Sequence, residues 1–292
     1  MGLVVTLLVW ESRSEDGSAP FADDGVDRTV GLLTEKDPVC GDWIRYADEL
    51  ADELESWSTI AKAIPASRWD PEQRRVFETA ANTMGTAAAQ FESILPLARH
   101  VTLQELISQT IAHWRAYVAE IPTYDESDAM LARVATNFGG AVTYMCTAAP
   151  IVQRVAGVRA GSAKAVDEAT KIERFQVDAD SFCVDFLGFV KRQNAVLTGW
   201  EATDPTVPAI DWTPEQRELN LAVIEVLATD ANHVRAWAAQ VEDPILADLL
   251  LVYGSYVDAF ITALPTYEPD DNQIWRVATL VGGGIASACE AA

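Results

Sequence analysis

The sequence predicts an all-α protein built as two tandem four-helix bundles of up-down-up-down topology, each closed by one disulfide. Three observations carry this expectation. Cys40 and Cys183 lie 143 positions apart, Cys146 and Cys289 lie the same 143 apart, and the residues between repeat at that offset without a gap. Trp57, Trp69, Pro71-Glu72-Gln73-Arg74 and Pro122-Thr123-Tyr124 return as Trp200, Trp212, Pro214-Glu215-Gln216-Arg217 and Pro265-Thr266-Tyr267. Apolar residues recur every three or four positions, and no segment shows the strict alternation of a half-buried strand. An internal repeat of this length fixes the architecture before any other feature is weighed.

The repeat divides the chain into four stretches. Residues 1–35 read as the remnant of a membrane anchor or signal followed by a polar stalk; residues 36–149 are the first module, 150–178 a partly helical linker, and 179–292 the second module. Gly2 to Trp10 (GLVVTLLVW) is apolar throughout, but it is shorter than the ~20 apolar residues that cross a bilayer, and no other stretch approaches that length. It is read as the end of an anchor whose beginning is missing, with an ordinary N-terminal tail or strand as the other account.

Within the first module, Cys40, Trp43, Ile44, Ala47, Leu50, Leu54 and Trp57 line one face of the first helix. Asp70-Pro71-Glu72-Gln73 opens the second helix with an N-cap, a proline at the first helical position and a capping-box glutamine, and Thr213-Pro214-Glu215-Gln216 repeats the device. The third helix carries Leu103, Leu106, Ile107, Ile111, Trp114 and Tyr117 and ends at Pro122, as its copy ends at Pro265. The fourth begins near Asp128 and Asp271, read as caps, and runs to the second cysteine of each copy. In an up-down-up-down bundle the first helix starts where the fourth finishes, so Cys40 would meet Cys146 and Cys183 would meet Cys289. Four buried free thiols are the alternative. Disulfides persist outside the reducing cytosol, which points to an extracytoplasmic site at the cell membrane, or to secretion. Between the modules, Gly157, Gly161 and Ser162 suggest a bend in a hinge, with Ala163 to Phe175 a potential helix.

Composition narrows the partners. With 44 acidic residues against 21 basic ones and a formal charge of −23, the surface repels nucleic-acid backbones and anionic lipid, so nucleic acid is not expected and the membrane is reached only through the N-terminal segment. A protein or envelope component is the expected partner.

Candidate site residues are few. Tyr124, Asp128 and Arg133, with their copies Tyr267, Asp271 and Arg276, could together bind an anion or a peptide terminus, or simply form an ion pair and a tyrosine corner within each module. Gly139-Gly140 and Gly282-Gly283 sit inside helices at a cost of roughly 1 kcal/mol each, which close helix approach or a ligand against bare backbone would offset. None of the three histidines, His100, His113 and His233, recurs at the repeat offset, and no metal or cofactor motif is present. No catalytic residues, metal or cofactor are therefore assigned, and the chain is not expected to be an enzyme. In its Ala-rich, Arg-over-Lys composition and its DPVCGDW and WDPEQR elements the chain resembles uncharacterised actinobacterial, especially mycobacterial, envelope proteins, which implies export and no particular mechanism. The expected function is a non-catalytic binding or scaffolding module. The alternative is a carrier holding an apolar ligand among aromatic residues such as Trp57, Trp114 and Trp200.

Overall fold

A computed structural model describes residues 27–155 and 161–292; Gly2 to Trp10 and most of the stalk lie outside the described residues. The described chain is all-α apart from one two-residue strand pair. The first copy of the repeat supplies α1 (Cys40–Glu53), α2 (Glu55–Thr59), α3 (Pro71–Ile94), α4 (Val101–Glu120) and α5 (Ala129–Val152). The second supplies α6 (Phe182–Glu201), α7 (Pro214–Ala238), α8 (Pro244–Ala263) and α9 (Asn272–Glu290).

Local chemistry sets the helix starts. Asp70 Oδ1 accepts from the Gln73 amide at 2.7 Å while Gln73 Oε1 accepts from the Asp70 amide at 3.1 Å, and Thr213 and Gln216 form the same box on α7. Each cap contributes about 1 kcal/mol. Asp128 and Asp271 do not cap α5 and α9 as expected. Their carboxylates fold back to accept from the Asp125 and Glu268 amides, 2.8 Å each, closing a preceding 3-10 turn.

Helices of one copy touch in a closed circuit: α1 with α3 and α5, α3 with α4, and α4 with α5. In the other copy α6 meets α7 and α9, and α8 meets both α7 and α9. The disulfides join Cys40 to Cys146 and Cys183 to Cys289, with Cα separations of 5.4 and 5.2 Å. Each therefore ties the first helix of its copy to the last turns of the fourth.

The linker differs from the hinge that its glycines suggested. α5 and α9 share the most extensive helix contact among the described residues, and one hydrophobic core runs through both copies. Residues 163–175 are not helical: 166–170 form turns closed by local bonds such as that from the Ala169 amide to the Ala165 carbonyl, the rest is irregular, and other backbone groups of the segment bond outward. Ser108 Oγ donates to the Ala169 carbonyl at 2.8 Å, Gln109 Nε2 to the Glu173 carbonyl at 2.7 Å, and the Lys164 and Ala165 amides to Asp248. Phe175 is buried beside His113 and Phe138. Arg154 reaches Asp271 at 2.8 Å, so one of the linker cations docks on an acid of the second copy. The N-terminal side is stitched in as well: β1 (Thr29–Val30) pairs antiparallel with β2 (Gly161–Ser162), Val30 and Leu33 are buried, and the Leu33 amide donates to the Tyr256 hydroxyl. Val30 and Leu33 thus anchor this segment in the core, while residues 27–29, 34 and 35 stay exposed.

One helix corrects the hydropathy reading. Residues Pro244–Thr266, which include α8, are long and apolar enough to cross a membrane by length and composition. Since 78% of that apolar window is buried inside the protein, α8 serves here as a core helix.

Candidate functional site

The residues retained in both copies act on one loop. In the first copy Trp69 Nε1 donates to the Ile64 carbonyl (2.7 Å), Arg74 to the Ala66 carbonyl (2.9 Å) and the Tyr124 hydroxyl to the Lys62 carbonyl (2.7 Å). In the second copy Trp212, Arg217 and Tyr267 donate to the carbonyls of Val207, Ala209 and Pro205 at 2.9, 2.6 and 2.7 Å. Burial, then the neighbouring acids, pushes both tyrosines up to about 12, so each stays a hydroxyl donor. The retained motif pins the chain entering α3 and α7. Arg133 and Arg276 do not join this lock: Arg133 lies 3.8 Å from Glu290 of the other copy, with both side chains exposed, and Arg276 is exposed. Arg133 is therefore drawn away from the tyrosine and aspartate that the sequence grouped with it, whereas Arg276 lines one cavity with Tyr267.

The paired glycines lie on or beside the α5–α9 seam. A Cβ on Gly140 would meet Leu280 at 3.2 Å, and one on Gly283 would meet Asn137 at 3.1 Å; these contacts are the same pair of positions exchanged between copies. Gly139 faces Thr110 and Trp43, and Gly282 faces Tyr253. Sequence reasoning missed the tightest position, Gly284, where a Cβ would lie 2.6 Å from Phe138 Cδ1. The run of three glycines in the second copy was the available signal. Gly284→Ala is expected to cost about 1–3 kcal/mol through overpacking. Gly85→Ala, where a Cβ meets open space inside α3, should instead gain about 1 kcal/mol. Denaturant midpoints of the two variants check this contrast.

A second feature was also missed. Glu105 on α4 and Asp248 on α8 occupy equivalent positions of the repeat, and both have 0% exposure. Asp248 Oδ2 accepts from the Lys164 and Ala165 amides at 2.7 and 2.9 Å. Among the described residues neither oxygen of Glu105, nor Asp248 Oδ1, meets any other donor, so within them the pair is satisfied only when one carboxyl carries a proton for the other. Burial, and then Asp248, pushes Glu105 far above the usual carboxylate range; burial also raises Asp248, against the pull of the Ala165 amide. Two backbone amides favour the ionised form of Asp248, and Glu105 has none, so the geometry favours the proton on Glu105. Two acids at one repeat offset inside otherwise apolar helices could have flagged the pair.

The third feature is a cavity of about 360 Å³ in the second copy, lined by Trp200, Trp212, Phe260, Tyr267 and Trp275, with Glu201, Asp204 and Arg276 among its polar residues. Trp200 Nε1 donates to Asn220 Oδ1 at 2.8 Å, and Trp275 stands edge-on to it at 5.3 Å. At the equivalent place in the first copy, Phe77 replaces Asn220 and stacks on Trp69 at 4.2 Å. Lys62 replaces Pro205 and lies 4.2 Å over the Trp57 ring. The first copy fills with its own side chains the space that the second leaves open.

Among the described residues no group of His, Cys, Asp and Glu is placed to hold a metal. The histidines have local roles. His100 Nδ1 accepts from the Thr102 amide at 3.3 Å, His113 Nδ1 lies 2.8 Å from the Gln109 carbonyl, and His233 packs 4.3 Å from the Trp237 ring.

Comparison with known proteins adds a lineage to this geometry. An uncharacterised protein of Mycolicibacterium smegmatis (strain MKD8) is 28% identical over 274 residues, covering 90% of this chain and 72% of that protein. No solved structure matches the chain. The family described as Mycobacterial ESX-1 associated protein matches residues 22–292, which takes in both copies, both disulfides and the linker between them. The protein accordingly belongs to the mycobacterial ESX-1 associated protein family.

Proposed function

We propose that the protein is a non-catalytic binding or scaffolding component of the bacterial cell envelope, held on the extracytoplasmic side through its N-terminal segment. In this reading its two copies are four-helix bundles fused along α5 and α9 into one rigid body. The family's association with ESX-1 supports a role alongside a secretion system, and two disulfides favour an oxidising compartment. The expected partner is a protein or envelope component.

One observation carries the binding reading. Of the large apolar side chains that stand exposed among the described residues, Leu97 lies in the first copy, while Val184, Val196, Ile210, Leu219 and Leu221 fall on α6, α7 and the turn between them, with Ile210 85% exposed. In a chain of charge −23, an isoleucine left 85% exposed in the turn between α6 and α7 favours a docking contact at that turn. A carrier would need an enclosed apolar cavity in each bundle, whereas Phe77 and Lys62 fill the first copy at the place where the second opens. Native mass spectrometry of protein purified from its own envelope should find a stoichiometric protein partner, and Ile210→Glu should release it while leaving the denaturation midpoint unchanged. A copurifying apolar small molecule in place of a protein would favour the carrier.

A further inference from the structure

The two copies differ most usefully at Lys62 and Pro205. Their carbonyls are held alike, each accepting from the matching tyrosine at 2.7 Å, so the backbone at these positions is placed equivalently. From that point the Lys62 side chain reaches over the Trp57 indole. Its Nζ lies 4.2 Å from the ring and donates to the Trp57, Ser58 and Ile60 carbonyls at 2.8, 3.2 and 3.4 Å. Proline cannot send a side chain along this path, and Pro205 and Trp200 instead line the open cavity. The first copy thus shows which chemical group a tryptophan at this place in the repeat can hold, an ammonium on an aliphatic stem, although Trp57 Nε1 turns to the Tyr117 hydroxyl and Trp200 Nε1 to Asn220.

We propose that the Trp200 cavity binds a primary alkylammonium group, the second copy taking from solution or from a partner's lysine what the first copy supplies as Lys62. Aromatic faces attract such a cation, most strongly where water is partly excluded. The charge around the cavity agrees. Glu201 and Asp204 line it on the Trp200 side, and Asp204, Asp270 and Asp271 act electrostatically on the lining hydroxyl of Tyr267. Thr203 donates to the Trp200 carbonyl through both its hydroxyl and its amide, at 2.7 and 2.9 Å, so that acceptor is taken and the acids at the cavity replace it as the counter-charge. Arg276 is the cation that opposes the ligand. Its exposed side chain on α9 tunes affinity downward.

This site shares α6, α7 and their connecting turn with the proposed docking side but does not use the Ile210 side chain, so loss of amine binding with Ile210-dependent partner binding intact leaves the docking reading standing. The test titrates the folded full chain with Nα-acetyl-lysine methylamide, with n-pentylamine and with the Nε-acetylated lysine analogue, at low ionic strength. The readout is the indole N–H resonance of Trp200, assigned with Trp200→Phe. Both amines should shift that resonance saturably, and the acetylated analogue should not. Equal binding of the two amines points to a free small amine, and tighter binding of the lysine amide to a lysine within a peptide. Pro205→Lys, which copies the first half's solution, should weaken binding by about tenfold or more. Asp204→Asn, a milder change outside the core, should weaken it by about threefold. Arg276→Gln should leave binding intact or stronger. Equal binding of the acetylated analogue, unchanged binding in both Pro205→Lys and Asp204→Asn, or loss of binding in Arg276→Gln would overturn the assignment.

Discussion

Serine at Cys40 and Cys146 together is expected to lower the free energy of unfolding by roughly 4 to 5 kcal/mol, one of the two largest effects anticipated for this protein. The bond closes a loop across a sequence separation of 106 residues, and the entropy that the unfolded chain regains when those ends are released grows with the logarithm of loop length. Burial adds to the loss. Cys40 is fully buried and Cys146 nearly so, which leaves serine hydroxyls among apolar neighbours in need of new partners. The same change at Cys183 and Cys289 should cost a similar amount, since that loop has the same length. Guanidinium denaturation with and without reductant measures both.

The shape of those transitions matters as much as their midpoints. Two bundles on a hinge would unfold in two steps, and breaking one disulfide would shift only one of them. A single core crossing the α5–α9 seam predicts one transition that either disulfide moves as a whole. A biphasic curve in which each cysteine pair shifts its own phase would show the copies to be independent.

Much of the helical layout was legible because it rests on local chemistry. Pro71 and Pro214 behind their capping residues, the three-and-four spacing from Cys40 to Trp57, and Pro122 and Pro265 at helix ends all act within a few residues. The relation between the copies was harder to read, and α4 shows why. Thr102, Ser108, Gln109, Thr110 and His113 suggest a polar, solvated face in sequence, yet all are buried. Their partners are distant carbonyls and amides of the linker in some cases and the helix's own backbone in others, which no periodicity encodes. A face that looks wet is covered by a segment that looks free. The cavity at Trp200 was hidden for a related reason: it arises from what the second copy lost, Phe77 to Asn220 and Lys62 to Pro205. Comparing the copies for their identities draws attention to the loop lock, whereas their differences mark the opening.

Glu105→Gln is expected to stabilise the protein increasingly as pH rises, by up to about 1.4 kcal/mol per pH unit within the titration window. Below the ordinary glutamate value of about 4.3, both folded and unfolded chains carry the proton, so wild type and variant should have nearly equal stability. Above it the unfolded chain releases the proton. The folded chain keeps it, because burial and the adjacent Asp248 push Glu105 far upward. The folded state then binds more protons than the unfolded one, and wild-type stability falls with pH until the folded value is reached. Glutamine carries no titrating proton yet can still donate to Asp248, so this loss disappears. Burial holds His113 down to about 4, which gives a contribution of opposite sign: stability present above about 6.5 and lost as pH falls toward 4. Both proteins share it, so it cancels in their difference. Asp248→Ala should behave differently, because it removes the oxygen that accepts from the Lys164 and Ala165 amides fastening the linker. Its removal should destabilise by about 1–3 kcal/mol at low and neutral pH alike. Unfolding measured from pH 4 to pH 9 decides the matter: parallel curves for wild type and Glu105→Gln would mean that the two carboxyls do not share a proton across the join between the copies.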